Sequence, residues 1–581
     1  MTIKGLKETF LELERRNKRI TRARLFVRAR SLVVFAVALF GVPTLVDLLS
    51  NPIRAPYRWL AADTFYYLVV GRNWAQNGHL AYDGTNASNG FQPLWQLWVC
   101  ISELLRVHLR LGQLGPFLLA IAGLLLVSAA VWLLGLSLLR ARRLSPLFLG
   151  VPVGVYGLTV LPAWIVGLRA PLAHQNFGWL WPVFGTLWSY VNGMESALVL
   201  FFFALALFLA AKREAPSSPR HAAYLGAALA GLTLARLDHA FYALALWMGY
   251  AIICERTIPV NLRRVSALKR LGPRVSAYRQ PLVAGAVWTA LVLPYLLYNK
   301  HHFGAYVPLS GVAKSTFPNF SGDNIDRILE VTRGTLPIDS DWWLPVACRQ
   351  FQTVVPALFA GGYLVVRAFR PSRTTLTTLL TASALGLLTL AIYDFAFTHA
   401  GDQGFWYMPV STLLPTLFVC NARPFRLRVL PRGAFVVAMG AAVVTFFCLW
   451  HRHPSYNKDY RTMMLKAGVE ARDFYRGQPP KLVEIDDGVV SYSLDTKAMS
   501  SYLALDPEGF RAQRDGQLLD LAMKRGFDHV GSAVYHPYDF SDDALRGWVG
   551  AALHQDMTHF IVQKEFASSD NLLLIAKITR R

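Results

Sequence analysis

The sequence predicts a polytopic α-helical membrane protein of about eleven transmembrane helices with a small C-terminal soluble α/β domain. Three observations predict this. Apolar side chains make up 54% of the 581 residues and charged ones only 16%, whereas soluble domains carry roughly a quarter charged residues. Apolar runs close to bilayer-crossing length recur along the chain. From about residue 451 the pattern changes to short β-rich runs alternating with polar helical stretches.

The elements follow in order. Residues 1–30 hold ten Lys/Arg against three Glu and no small-residue cleavage site, so they read as a basic cytoplasmic segment and not as a cleavable signal. Apolar spans are expected at about 31–49, 115–139, 146–167, 194–211, 222–235, 240–254, 281–298, 346–366, 374–393, 405–421 and 433–450. The basic stretches at 141–143, 212–220, 255–280, 367–373 and 422–432 belong in the cytoplasm by the positive-inside rule. Eleven crossings then run through 31–450, and the tail 451–581 lies outside. The main outer loops are 50–114 and 299–345.

FQPLWQLWVCISELL at 91–105 is one apolar segment too many. If it crossed, the basic 141–143 would fall outside. It therefore reads as a Trp-rich helix on the outer membrane surface or re-entering it. In the tail, TMMLKAGVEARDFY reads as helix, KLVEIDDGVVSYSL and DHVGSAV as β-rich, and LDPEGFRAQRDG as turn chemistry. No repeat of 20–50 residues and no low-complexity tract is seen.

The net charge of +23 sits mostly in the short loops, so it excludes nucleic acid as the partner and points to membrane lipids. The five cysteines, Cys100, Cys254, Cys348, Cys420 and Cys448, lie in or beside apolar segments without CxxC spacing. They read as small core hydrophobes. No nucleotide-phosphate loop of either common Gly-rich type occurs. An outward-facing enzyme without one needs an activated substrate carried by the membrane.

The ionisable residues near apolar boundaries collect on the outer side. They are Asp63 and Arg72, Glu195, Arg236 with Asp238 and His239, Lys300, His301, His302 and Lys314, then Asp394, His399 and Asp402, joined by the amides Asn89 and Gln92. Charges at membrane depth are costly and usually face a protein interior or a wet cavity. Six segments giving polar groups to one face imply one outer cavity. Each residue also has a structural reading. Asp63 and Glu195 can cap the helices that follow them. Arg236 and Asp238 can pair across a short turn, and Lys314 can be a solvated loop lysine. His301 and His302 are adjacent and point apart, which makes a poor metal pair. NAS at 86–88 matches a glycosylation sequon.

The order of short motifs is more specific than any one of them. Asp63 follows the first span. NGFQPLW follows at 89–95, GMES at 193–196 and LARLDHAF at 234–241. YNKHHFGAYVPLSGVAKS comes at 298–315 and GDQGFWY at 401–407. This order resembles the GT-C superfamily of polyprenyl-phosphate-sugar-dependent glycosyltransferases, most of all the bacterial branch with the mycobacterial terminal arabinofuranosyltransferases. The resemblance covers about residues 60–415, with a similar outer C-terminal domain.

The resemblance implies transfer of a sugar from a polyprenyl-phosphate donor to a cell-envelope acceptor, at the outer face of a bacterial cytoplasmic membrane. Asp63 then serves as general base. Arg236, Lys300, Lys314, His301, His302 and Gln92 are the expected donor-phosphate ligands. Glu195, Asp238, Asp402, Trp406, Tyr407, Tyr66 and Asn89 are the expected sugar or acceptor ligands. Many relatives pair two acidic residues in the first loop, but Thr64 follows Asp63 here. No cofactor is certain, and a divalent cation, Mg or Mn, stays open. Gln92 stands where relatives often have His or Lys. Trp406 and Tyr407 stand where arabinosyl relatives tend to have a basic residue, so the resemblance does not fix the sugar as arabinose.

Two other classes fit parts of the pattern. A lipid or lipid-sugar flippase predicts mid-membrane polar groups, broken helices and repeats, for which only Gly361-Gly362 speaks. A non-catalytic envelope scaffold working through 451–581 predicts no membrane-embedded charges.

Overall fold

The computed structural model describes residues 31–148, 191–211, 218–256, 267–329, 343–399, 409–422 and 460–581, apart from single positions and short stretches within them. The segment 1–30, the expected spans 146–167 (apart from Phe148) and 433–450, and Asp402, Trp406 and Tyr407 lie outside the described residues.

Residues 31–50 are helical at the described positions. Then come α1 (Ala55–Trp59), α2 (Thr64–Asn77), α3 (Pro93–His108), α4 (Gly115–Arg140), α5 (Ser196–Ala210), α6 (Pro219–Ala235), α7 (Ala240–Arg256), α8 (Ala267–Phe303), α9 (Leu309–Lys314), α10 (Trp343–Phe369), α11 (Thr375–Phe397) and α12 (Pro409–Ala422). Among the described residues, four helices are long and apolar enough to cross a membrane: Gly115–Arg140, Leu237–Arg256, Tyr278–Phe303 and Thr375–Phe397. Ser196–Ala210, Thr353–Phe369 and Pro409–Asn421 are shorter apolar helices. The bundle packs α4 on α5, α5 on α6, α6 on α8, α7 on α8 and α11, and α10 on α11 and α12. Helix α8 is the outlying one. Leu282, Leu291, Leu293 and Leu297 point outward from it, as expected of a helix whose solvent is lipid.

Helix α3 falls largely in the surplus apolar segment 91–105, and it buries polar side chains beside Trp95, Val99 and Cys100 while turning apolar ones outward. Gln96, Ser102 and Glu103 are buried on its inner face, while Leu97, Trp98, Ile101 and Leu105 are exposed. A helix of 16 residues spans only about 24 Å. An apolar outward face on a short helix is suited to lying along a membrane surface.

The C-terminal residues form α13 (Tyr460–Phe474), β1 (Leu482–Glu484), α14 (Val489–Leu494), β2 (Ala498–Ser500), α15 (Pro507–Arg514), α16 (Leu518–Lys524), β3 (His529–Ala533), α17 (Asp542–Leu553), β4 (Phe560–Ala567) and β5 (Leu573–Arg580). The sheet order is β2-β1-β3-β5-β4. Strand β1 pairs in parallel with β2 and β3, while β5 runs antiparallel to β3 and β4. Two sequence expectations change here. VVSYSL is the helix α14 and not strand. LDPEGFRAQRDG contains α15, started by Asp506, whose carboxylate accepts the N–H groups of Glu508 and Gly509 at 3.0 Å each. A capped Asp-Pro-Glu start reads locally as a turn and becomes a helix once the chain continues.

One face of the sheet closes its own core with Leu519, Val530 and Val549. On the other side, Val489, Leu494 and Ile575 join the same apolar cluster as Phe65, Leu68 and Leu124. The sheet domain and the helical bundle therefore share one continuous core.

Candidate active site

The site is built on the N-terminal end of α2. Asp63 occupies the N-cap position, but its side chain makes no capping hydrogen bond. The first ten residues of α2, Thr64 to Asn73, are all buried. Two elements hold this helix. From one side the turn at 191–195 docks, with Asn192 O accepting Ala61 N–H at 2.6 Å and Thr64 Oγ1–H at 2.9 Å. Trp95 Nε1 donates to Gly193 O at 2.9 Å. Gly193 has φ +78°, and a Cβ there would lie 2.4 Å from Leu60 and 2.6 Å from Thr64 side-chain carbons. Only glycine permits that turn so close to the site.

From the other side the C-terminal domain docks. Arg72 donates to Ser491 O, Asp495 Oδ1 and Thr496 O at 2.9–3.2 Å. Tyr82 donates to Glu484 Oε2 at 2.6 Å. Burial, with the charge of Glu484, raises the Tyr82 phenol well above its ordinary range, so it stays a donor. Tyr492 donates to Glu103 Oε1 at 3.1 Å, and Arg106 meets Glu103 at 2.6 Å. Burial raises the Glu103 carboxyl, with Arg106 and Tyr492 opposing.

A cavity of about 610 Å³ opens at this end. It is lined by Asp63, Tyr66, Tyr67, Gln92, Glu195, Arg236, Asp238, Lys314 and Asp394, with Phe91, Phe241, Phe317 and Tyr393 among the apolar walls. Seven of the sequence-predicted residues thus meet in one space: Asp63, Tyr66, Gln92, Glu195, Arg236, Asp238 and Lys314. Four predicted residues do not line it. Lys300 is exposed and donates to Gly304 O at 2.9 Å. His301 and His302 are exposed and lean on each other, with His302 on Tyr298. They lie in the last turn of α8. Asn89 is buried and donates to Asn299 Oδ1 at 3.1 Å, while its carbonyl accepts Leu309 N–H at 2.8 Å. It ties the 307–315 wall to the bundle without reaching the cavity.

Glu195 does not cap its helix either. Its Oε1 accepts Arg236 Nη1–H at 2.6 Å and its Oε2 accepts the Tyr67 hydroxyl at 3.2 Å. Arg236 Nε also meets both oxygens of Asp238, at 3.0 and 2.8 Å. His239 Nδ1 lies 2.7 Å from Asp238 Oδ1. Gln92 joins the two halves: its backbone N–H goes to the Tyr67 hydroxyl at 3.1 Å and its Oε1 accepts Leu237 N–H at 3.3 Å. So Arg236 is both a member of the cavity and a structural pair with two carboxylates. Lys314 comes from a second wall. His399 N–H donates to its carbonyl at 3.2 Å, and Thr316 N–H to Phe397 O at 2.8 Å.

The sequon lies in a turn. Asn86 Nδ2 donates to Asp83 Oδ2 at 2.6 Å, and Arg525 reaches the same oxygen at 3.7 Å. Cys100, Cys254 and Cys420 are buried free thiols. Among the described residues, no three His, Cys, Asp or Glu side chains gather as a metal-binding group. The sequence singled out Asp394 without giving it a role, and it missed Phe241, Phe317 and Tyr393. A carboxylate amid aromatics in YDFAF was the available signal.

No family model matches the chain, and no curated protein matches it. Among solved structures it is similar to ArnT from Cupriavidus metallidurans bound to undecaprenyl phosphate. That alignment covers 93% of this chain and 97% of ArnT, with 12% identity and a TM-score of 0.47. Apo ArnT aligns over 94% and 98%, with 14% identity and a TM-score of 0.36. The archaeal oligosaccharyltransferase AglB from Archaeoglobus fulgidus, in complex with an inhibitory peptide and a dolichol-phosphate, aligns over 97% and 74%, with 12% identity and a TM-score of 0.39. Likenesses this loose assign neither family nor activity to the chain.

Proposed function

We propose that the protein is a GT-C-type glycosyltransferase that moves a sugar from a polyprenyl-phosphate donor to a cell-envelope acceptor on the outer face of the cytoplasmic membrane. One observation carries the reading. A single cavity at the end of an apolar helical bundle gathers Asp63, Glu195, Asp238, Arg236 and Lys314 from four separate chain segments, among aromatic walls. A flippase needs polar groups along a path through the membrane, and a pure scaffold needs none.

In the proposed reaction an acceptor hydroxyl attacks the anomeric carbon and Asp63 takes its proton. The new C–O bond forms as the bond from the anomeric carbon to the phosphate oxygen breaks. The leaving polyprenyl phosphate gains negative charge, which cations must meet. Lys314 and Arg236 are the cavity cations. Arg236 also holds Glu195 and Asp238 in place, and Lys314 faces the cavity from a second wall. Lys300, His301 and His302 play no part in this scheme, because they stand outside the cavity.

The test is donor consumption by purified protein. Removing a general base costs about 100-fold or more, so Asp63→Asn should drop turnover by that factor while leaving lipid-phosphate binding in place. Parent-like turnover in Asp63→Asn overturns the assignment of the base, and flip of labelled lipid without transfer overturns the enzyme reading. Transfer with and without EDTA decides whether Mg or Mn joins the two cations.

A further inference from the structure

The cavity contains a carboxylate that the reaction above leaves unused. Asp394 lines it and is 6% exposed, and its Oδ2 is buried with no hydrogen-bond partner. A buried acceptor without a donor costs about 1–3 kcal/mol, and such groups in native proteins are few and call for a reason.

The fold fixes where this carboxylate stands. Asn324, fully buried, donates from Nδ2 to the carbonyls of Asp394 at 3.0 Å and Thr398 at 2.8 Å. Thr398 Oγ1 returns to Asp394 O at 2.5 Å. Two of these bonds end on the carbonyl of residue 394 and the third on that of Thr398, so none uses the Asp394 side chain, which is left to the cavity. Around it, Tyr393 meets Phe241 at a ring separation of 5.6 Å and Phe397 at 6.0 Å, and Phe317 meets Phe397 at 5.2 Å. Phe241, Tyr393 and Phe317 all line the cavity. Its charged neighbours there are Asp238 and Arg236. A fixed carboxylate beside aromatic faces suits a sugar: the rings cover its C–H face, and the oxygen takes an O–H donor.

We propose that Asp394 binds a hydroxyl of the transferred sugar and so reads which sugar the donor carries, with Tyr393, Phe241 and Phe317 as the apolar wall of that subsite. This deepens the glycosyl-transfer reading of the same cavity and rests on it. Asp394 positions and selects. It takes no proton in the transfer step.

Asp394→Asn keeps the shape and every backbone bond, but puts either a neutral acceptor or an N–H at the hydroxyl. The probes are undecaprenyl phosphate alone and undecaprenyl-phosphate-linked pentoses and hexoses, each with its monodeoxy analogues. The parent protein should prefer one hydroxylated sugar over one deoxy analogue by about fivefold, the worth of one buried hydrogen bond. Asp394→Asn should lose that preference, with a raised KM for the sugar donor. Its Kd for bare undecaprenyl phosphate should stay within about twofold. Parent-like discrimination in the variant overturns the inference and leaves the transferase reading intact. Loss of bare-lipid binding as well overturns it too, since the carboxylate then serves the fold. If the parent consumes no donor of the panel, both readings fall together.

Discussion

At the residue scale the site is governed by one guanidinium. Arg236 joins Glu195 and Asp238 with three charge-assisted contacts of 2.6–3.0 Å, and both Glu195 and Arg236 are nearly closed to solvent. Removing one partner of such a pair strands the other charge, which costs about 3 kcal/mol or more. Glu195→Ala should therefore lower the thermal midpoint in detergent clearly, and Glu195→Ala/Arg236→Met should recover part of the loss. Additive losses in the double variant would contradict the pairing. Read locally, Glu195 can cap its helix and Arg236 can pair with Asp238. The Arg236–Asp238 pair is made, while neither Asp63 nor Glu195 bonds the start of its helix. Local sequence cannot decide this, because the same carboxylate can turn back to its helix or outward to a partner 41 residues away.

At the element scale, α14 sets the position of α2. Gly488 starts α14 with φ +83°, and a Cβ there would lie 2.7 Å from the backbone C of Phe65 and N of Tyr66. Backbone cannot yield as a side-chain tip does, so Gly488→Ala should cost about 2 kcal/mol through overpacking and strain. Amide exchange in α2 should rise, and transfer should fall because Asp63 is one turn away. Gly547→Ala, whose Cβ meets nothing within 4 Å, is the control that should leave both unchanged. Helix α3 belongs to this scale too. Its sequence looks like a span, and its length and buried Glu103 distinguish it.

At the scale of the whole molecule, the first outer loop and the C-terminal domain are joined by Arg525, which meets Asp506 at 2.6 Å, Glu508 at 2.6 Å and Asp83 at 3.7 Å. Burial pushes the Asp506 carboxyl up, but Arg525 and the N–H groups of Gly509 and Glu508 outweigh it, so it lies below its ordinary value. A carboxyl lowered in the folded state adds stability above its unfolded pKa of about 3.9 and loses it as pH falls through the folded value. Unfolding of the C-terminal domain, followed by amide exchange in β3 and β5, should become easier below about pH 4. Asp506→Asn should be less stable at neutral pH and less acid-sensitive in that window. An unchanged acid limb would show that this node is not the linkage.

The sequence by itself determined what hydropathy and charge can carry. It placed the seven apolar helices seen among the described residues, marked α3 as the surplus segment, noted the change of composition near residue 451, and brought seven cavity residues into one list. These follow from periodicity and from the cost of charge at membrane depth, which act on short stretches. Tertiary structure decided which polar groups share a space. It left Lys300, His301, His302 and Asn89 out of the cavity lining, made VVSYSL a helix that clamps α2, and left Asp394 Oδ2 without a hydrogen bond in the cavity. Those outcomes depend on contacts between residues tens to hundreds of positions apart, such as Arg72 with Asp495 and Asn324 with Asp394. Only packing fixes these, because side chains so far apart in the chain have no spacing rule that relates them.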